Sequence, residues 1–461
     1  MSASLPAGAW TTIAGVLGAI LLFLGLLRIY QVRAEPSPEL VRKLFHLGGG
    51  ALGLALPWLF DALWPVLVLG GACVAVFAAL RLVPALAGGP GQVLAAVKRN
   101  TLGEFWFVTS FCLLFWLAAG DRLLYAVPLL VLTVADTAAA LVGEEYGKLQ
   151  FTTHEGHKSL EGSAGFFLAA FLSVHIPVLL FAGTGRAESL LIALTLALMV
   201  TLAETATWWG LDNLIIPLFA FGLLRTFLGM DLDRLVLHLA FLLGLAVFVR
   251  LWRRRSTLAN DALVGGVLWG YVVWALSDWR WIVPPASLFV TYLAVSPRTS
   301  LDESRVLGFP ALLASVAAGQ LWVLLHWTTG QDVFFYAFAA AFAANLAIIA
   351  FVRDVHARPG AARPALLLTD TGKGALLVLI PSAAVLRDGG AMLVQLALGG
   401  VAAFSAVLAF ALLQPALEDY PIDDARWVRQ AVITTAASGL CLGVYLAASR
   451  EWLPGTHALA R

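Results

Sequence analysis

The sequence predicts an all-α polytopic membrane protein, a bundle of about 14–16 transmembrane helices, and three observations carry that prediction. Of 461 residues, 61% are hydrophobic and only 12% are charged, with a mean hydropathy of +0.88; a soluble domain is closer to ~25% charged. The apolar residues fall into runs long enough to cross about 30 Å of hydrocarbon. Backbone inside such runs has no water to bond to and must satisfy itself, which leaves helix. The polar residues gather in the turns between the runs.

The runs cover 9–28, 44–61, 63–83, 105–119, 122–142, 160–182, 187–207, 213–229, 233–250, 262–277, 281–296, 306–327, 333–352, 374–386, 389–413 and 430–448. Those at 105–119 and 374–386 are the shortest. The N-terminus carries no basic n-region and no small-residue cleavage site, so Ala9–Leu27 is expected to be the first span. Cys73, Cys112 and Cys441 lie in apolar runs without metal-ligand spacing and read as packing residues. A net charge of +1 gives no sign of nucleic-acid binding. Basic residues set the orientation. With the N-terminus outside, the loops at 28–43, 84–104, 143–159, 250–261, 297–305, 353–373 and 414–429 are cytoplasmic. They hold 20 of the 29 Lys and Arg, against 7 on the other side.

The chain is organised around Val134–Phe167, where a charge-bearing loop interrupts the apolar pattern. Asp136 reads as an unpaired carboxylate near the end of a span, an expensive placement that marks a functional candidate. It suits a divalent cation, while Lys148, Lys158 and nearby N–H groups suit phosphate oxygens. Ala138, Ala139 and Ala140 let helices approach closely. Gly143 and Gly147 are expected to permit a backbone bend. Ser159 and Gly162 belong to a small polar turn that starts the next helix and aims its N-terminus at an anion. His154 and His157 read as loop residues.

Three flanking stretches join this one. In Glu35–His46, Glu39, Arg42, Lys43 and His46 fall at helical spacing, a basic cluster or a positive-inside anchor, and His46 needs a partner. In Lys98–Glu104, Asn100 or Thr101 suits an N-cap, and Phe105, Trp106 and Phe107 suit an interfacial aromatic belt or the wall of an apolar chain's groove. In Glu204–Pro217, Glu204 is intramembrane, and Gly210 to Asn213 form a short turn. There Asp212 and Asn213 offer hard oxygen donors suited to Mg²⁺. By the assigned topology Asp136, Lys158 and Asp212 share one side of the membrane. Polar residues gathered at one surface argue against a transporter, in which inverted repeats and helices broken at mid-membrane are expected.

These residues resemble the polyprenol kinase family, the dolichol and phytol kinases, within a larger group that includes the CDP-diacylglycerol synthases. The matching pieces are Arg42-Lys43 with His46, Leu102-Gly103, Asp136 with Ala139, Gly143 with Gly147-Lys148, the KSLEGS string at 158–163, and Glu204 with Asp212-Asn213 and Pro217. They cover roughly residues 35–225. The synthases usually carry a longer insertion between Lys-Ser and Glu-Gly and a C-terminal acidic signature, and this sequence has neither, so the kinase branch fits better than a cytidylyltransferase. The resemblance implies CTP as phosphoryl donor, a long-chain isoprenoid alcohol as acceptor, Mg²⁺, and a site on the cytoplasmic face of a bacterial inner membrane. It specifies no oligomeric state. On that reading Asp136, Asp212 and Asn213 hold the metal. Arg42, Lys43, Gly143, Gly147, Lys148, Ser159 and Gly162 hold the nucleotide, and Lys158 offsets charge in transfer. Glu161, Glu204 or Asp212 accepts the hydroxyl proton, and the sequence does not choose among them.

The basic run Arg250–Arg255 sets an expected boundary at 255/256. Beyond it, 259–276 resembles the phytyl-phosphate kinase family over that stretch alone, without that family's intramembrane Ala-Asp-Thr. The second domain, 256–461, therefore reads as a structural membrane module, with a second, successive kinase as the alternative. Its polar features are a TDTGKG turn at 369–374 and an acidic loop at Glu418–Asp424.

Overall fold

The computed structural model describes residues 7–87, 90–93, 102–153, 156–206, 210–252, 260–295, 308–358, 360–386, 389–414 and 424–452. Among them run sixteen helices of at least 13 residues. In order these are α1 (Ala7–Ala34), α2 (Pro38–Leu54), α3 (Leu63–Leu82), α4 (Gly103–Ala118), α5 (Arg122–Tyr146), α6 (Leu160–Phe181), α7 (Arg186–Ala206), α8 (Asp212–Phe227), α9 (Leu232–Trp252), α10 (Asn260–Leu276), α11 (Val283–Val295), α12 (Phe309–Thr329), α13 (Phe334–Ala357), α14 (Arg363–Ala384), α15 (Gly389–Leu413) and α16 (Asp424–Trp452). Eleven are long and apolar enough to span a bilayer, and α2, α4, α8, α10 and α11 are shorter. Each apolar run of the sequence overlaps one helix. Between α5 and α6 lies an antiparallel hairpin, β1 (Gln150–Thr153) and β2 (Gly156–Ser159), in the register Gln150 with Ser159 and Phe151 with Lys158. Asn100, Thr101, His154, Arg253–Arg255 and most of the acidic stretch 418–424 lie outside the described residues.

The chain divides into two compact units, 1–242 and 243–461. The division falls inside α9, ahead of the basic run that set the expected boundary. In the first unit α6 packs between α5 and α7, α8 lies against α4, α5 and α7, and α1, α2 and α3 close the other side. Its core includes the fully buried Val41, Leu114, Leu129 and Leu132.

Small residues set the closest approach. A Cβ on Gly162 would lie 3.0 Å from the Ala139 carbonyl oxygen and 3.2 Å from the Gly143 Cα. A Cβ on Gly147 would run into the Gly143 carbonyl oxygen. Neither Gly143 nor Gly147 adopts positive φ. Gly143 thus serves close packing of α5 against α6, while Gly147 is where the chain leaves α5 for extended backbone.

Two helices are locally unwound. α5 contains Pro128 and then a π turn over Val131–Ala135; α14 contains a π turn over Ala375–Leu379 just before Pro381. Proline removes a backbone donor and clashes with the preceding turn, and such local failures of the ladder accompany π bulges.

In the second unit α13 is the hub, packed by α11, α12, α14, α15 and α16, with 94% of its span buried. Hydrogen bonds between helices hold this unit where hydrophobicity alone discriminates little: Gln430 Nε2 donates to Asn345 Oδ1 at 2.8 Å, and Trp322 Nε1 donates to Ser438 Oγ at 3.0 Å. TDTGKG is not a turn. It forms the second half of the first segment of α14, where Asp370 and Lys373 are one helical turn apart. Lys373 Nζ lies 2.5 Å from Asp370 and 2.6 Å from Asp354 of α13, so the charges that suggested a loop neutralise one another between helices.

Gly162→Ala is expected to destabilise the first unit by about 1–3 kcal/mol, seen as a lower melting temperature of the detergent-solubilised protein. Gly18→Ala, at a position with nothing within 4 Å of a new Cβ, should leave melting unchanged. Lys373→Met strands Asp370, which is 0% exposed, and leaves Asp354 with Arg358 alone. It should cost on the order of 3 kcal/mol, and wild-type melting would show that the triad contributes nothing.

Candidate active site

The site begins with a helix start. Ser37 Oγ accepts from the Leu40 N–H at 3.2 Å, and Pro38 occupies the first helical position, so α2 starts six residues before the apolar run does. Glu39, Lys43 and His46 then share a face turned into the bundle. Lys43 is 2% exposed and His46 7%. Arg42 is one helical step off that face, and its Nε donates to Glu39 at 3.1 Å.

Across from α2, the π turn of α5 delivers Asp136. Lys43 Nζ donates to Asp136 Oδ2 at 2.7 Å and to the Asp136 carbonyl at 3.1 Å. His46 Nε2 contacts the Leu132 carbonyl at 3.2 Å and lies 3.5 Å from Asp136 Oδ2. Thr137 Oγ1 donates to the Thr133 carbonyl at 2.7 Å. Side chains thus meet carbonyls of the irregular stretch, a condition for irregular backbone inside a membrane. Asp136 is therefore paired, not unpaired as its place in an apolar run suggested.

The hairpin and α6 supply the next pair. Ser159 caps α6, its Oγ accepting from the Gly162 N–H at 3.1 Å. Lys158 Nζ donates to Glu204 Oε1 of α7 at 2.7 Å. Glu161 faces the other way and accepts from the backbone N–H groups of Lys148 and Leu149 at 3.2 Å, bracing the base of the hairpin. At the α7–α8 turn, Gly210 takes φ +72°, a left-handed conformation suited to glycine. Asp212 then opens α8, and Asn213 Nδ2 donates to the Gly103 carbonyl of α4 at 3.1 Å.

These elements enclose one cavity of about 360 Å³. Of the residues singled out in the sequence, Arg42, Lys43, Asp136, Gly143, Lys158, Ser159, Gly162, Glu204, Asp212 and Asn213 line it. Gly147, Lys148 and Glu161 do not. Gln150, Ser163 and Glu104 line it as well. Ser163 lies four residues from Ser159, and that helical spacing was the available signal. Phe107 is 4% exposed and its ring centroid lies 4.4 Å from that of His46, so it belongs to the site and not to an interfacial belt.

The electrostatics are specific. Five carboxylates and three Lys or Arg side chains line the cavity. Arg42 pairs with Glu39, Lys43 with Asp136, Lys158 with Glu204, and Glu104 with Arg81 at 2.9 Å. Among the described residues, Asp212 alone of the five has no ion pair. Asp136 and Asp212 feel each other's charge. A polyanion entering such a surplus of carboxylates needs a cation with it, and the donors are hard oxygens of the type Mg²⁺ takes. Among the described residues no group of three or more His, Cys, Asp or Glu is placed as a closed metal cage.

No protein-family model matches the chain, and no solved structure matches it. Two curated proteins do. The phytol kinase of Synechocystis sp. is 32% identical over 205 residues, 44% of this chain and 84% of that protein. The dolichol kinase EVAN of Arabidopsis thaliana is 32% identical over 226 residues, 44% of this chain and 38% of that protein. With that identity across more than four-fifths of a phytol kinase, the chain belongs to the polyprenol kinase family.

Proposed function

We propose that the protein phosphorylates a long-chain isoprenoid alcohol at the cytoplasmic face of the membrane, with CTP as donor and Mg²⁺ as its metal. The observation that carries the reading is the cavity itself: ion pairs drawn from α2, α5, β2 and α7, beside an unpaired Asp212 on α8, in a chain whose relatives are kinases. The excess of Lys and Arg in the loops assigned to the cytoplasm supports the face.

Phosphoryl transfer asks the protein mainly for positioning and charge stabilisation. Lys43 and Lys158 are ammonium groups held at fixed points on the cavity wall, and Arg42 adds a guanidinium suited to phosphate oxygens. The Ser159-capped start of α6 adds backbone N–H groups and the positive end of a helix dipole. Asp136, Asn213 and Asp212 would hold Mg²⁺, which when bound supplies neutralisation of phosphate charge. Of the three carboxylates that the sequence left open as proton acceptor, Glu161 is engaged outside the cavity and Glu204 is tied to Lys158. Asp212 is favoured. Lys148 stands outside the cavity lining, so no phosphate role is assigned to it.

Incubation with labelled CTP, Mg²⁺ and phytol or a polyprenol should release CDP and yield the alcohol monophosphate. Pyrophosphate with a CDP-lipid would replace this reading with a cytidylyltransferase, and no product across an alcohol panel would remove both.

Asp212→Asn is the cleaner site variant, because it breaks no ion pair. Its transfer rate should fall about a hundred- to a thousand-fold, or ~3–4 kcal/mol, with unchanged melting. Asp136→Asn should lose activity and stability together, since it leaves the buried Lys43 without its counter-charge, a loss of on the order of 3–5 kcal/mol. Parental turnover in Asp212→Asn would exclude Asp212 from the chemistry.

A further inference from the structure

A second cavity adjoins the first. It is a slot of about 60 Å³ between α1, α2, α3 and α4. Phe45 and Phe107 line both cavities, so the polar chamber and the slot share a wall. The rest of the slot is apolar, including Ile20 on α1 and Gly70 on α3. A space of that kind stays dry and favours an apolar occupant.

The slot depends on glycines meeting larger groups on α4. Gly49 and Gly53 are one helical turn apart on α2, and Phe107 and Phe111 are one turn apart on α4. A Cβ on Gly53 would lie 2.5 Å from the Phe111 ring, and one on Gly49 would lie 3.2 Å from the Phe107 ring. A Cβ on Gly70 would lie 2.6 Å from Cys112 Sγ. The Tyr125 hydroxyl donates to the Gly53 carbonyl at 2.8 Å, so α2 is anchored behind the slot as well. The outer wall is α1, of whose membrane-length window only 17% is buried, so the slot is separated from the bilayer by a single helix.

We infer that this slot seats the first isoprene units of the acceptor, with the hydroxyl in the polar chamber past Phe107 and His46. The inference rests on the kinase reading for the identity of the alcohol. The occupant is the apolar chain of the acceptor, because the slot is apolar and shares Phe45 and Phe107 with the polar chamber that would take the hydroxyl. Chain selection then lies in α1–α4, away from the groups that handle phosphate.

The test uses a C20 isoprenoid alcohol carrying a diazirine, photolysed with the full-length protein in liposomes and mapped by peptide mass spectrometry. Label is expected on the α2 and α4 residues of the slot. It should be displaced by unlabelled phytol and not by CTP. Ile20→Trp, which fills the slot from α1, should cut slot labelling ~10-fold or more and lower kcat/KM for the C20 alcohol alike, with nucleotide binding unchanged. Label elsewhere, no displacement by phytol, or unchanged labelling in Ile20→Trp would overturn the inference. The two readings fail separately. A parent protein that phosphorylates no alcohol yet labels in the slot defeats only the kinase reading, and an active parent labelled elsewhere defeats only the slot.

Discussion

The pairing of Lys43 with Asp136 is the interaction on which the first unit turns. Their residues are 93 positions apart, and both side chains are almost removed from solvent. Inside a protein an isolated charge is expensive, and losing one partner of a buried pair costs more than the pair itself contributes. The bond to Asp136 Oδ2 therefore acts as a requirement on geometry: α2 and α5 can sit together only in the registers that bring these atoms within reach. The π turn before Asp136 helps set the register from one side, and the cap at Ser37 with Pro38 sets it from the other. His46 and Thr137 complete the arrangement by bonding carbonyls of the unwound stretch.

Close approach extends that constraint to the rest of the site. Gly143 and Gly162 allow α5 and α6 to meet almost backbone to backbone, so the hairpin joining them is short and braced by Glu161. Lys158, at the end of β2, is held beside Glu204 as a result. Asn213 ties α8 to the first residue of α4. The ties from Lys158 and Asn213 cross between elements distant in sequence. Such a cavity is preorganised, which is what a reaction governed by positioning requires.

Much of this was legible because charge in an apolar run is costly. Asp136 and Glu204 stood out on that ground alone, Asp212 stood out as a hard-oxygen donor in a short turn, and the sixteen apolar runs gave the helices. What escaped has physical reasons. Arg42 and Lys43 are neighbours that composition treats alike; only helix phase shows that Lys43 is buried while the Arg42 side chain stays 44% exposed. Lys148 and Lys158 looked equivalent until strand register put one outside the cavity and the other in its wall. The hairpin was hidden because each strand has four residues, with Phe151, Thr152 and Thr153 as the sole β-forming signal. Pro128 was the trace left by the π turn, but a proline marks a disturbance without giving its phase.

The second unit shows why charge alone does not identify a site. It also buries carboxylates against a lysine, and the bonds are as short as those around Asp136. The difference is in sequence distance. Asp370 and Lys373 are three residues apart and Arg358 lies four after Asp354, so local helical spacing already pairs them. The one link between helices, Lys373 to Asp354, then staples α14 to the buried hub α13. In the first unit, Lys43 reaches past Glu39, four residues away, to Asp136, and Lys158 reaches past Glu161 to Glu204; both pairs open onto one chamber with an unpaired carboxylate. Local pairs that close on themselves reduce the cost of burying charge. Pairs assembled from distant segments around an open space accept that cost for a geometry, and a geometry is useful only to something that enters it.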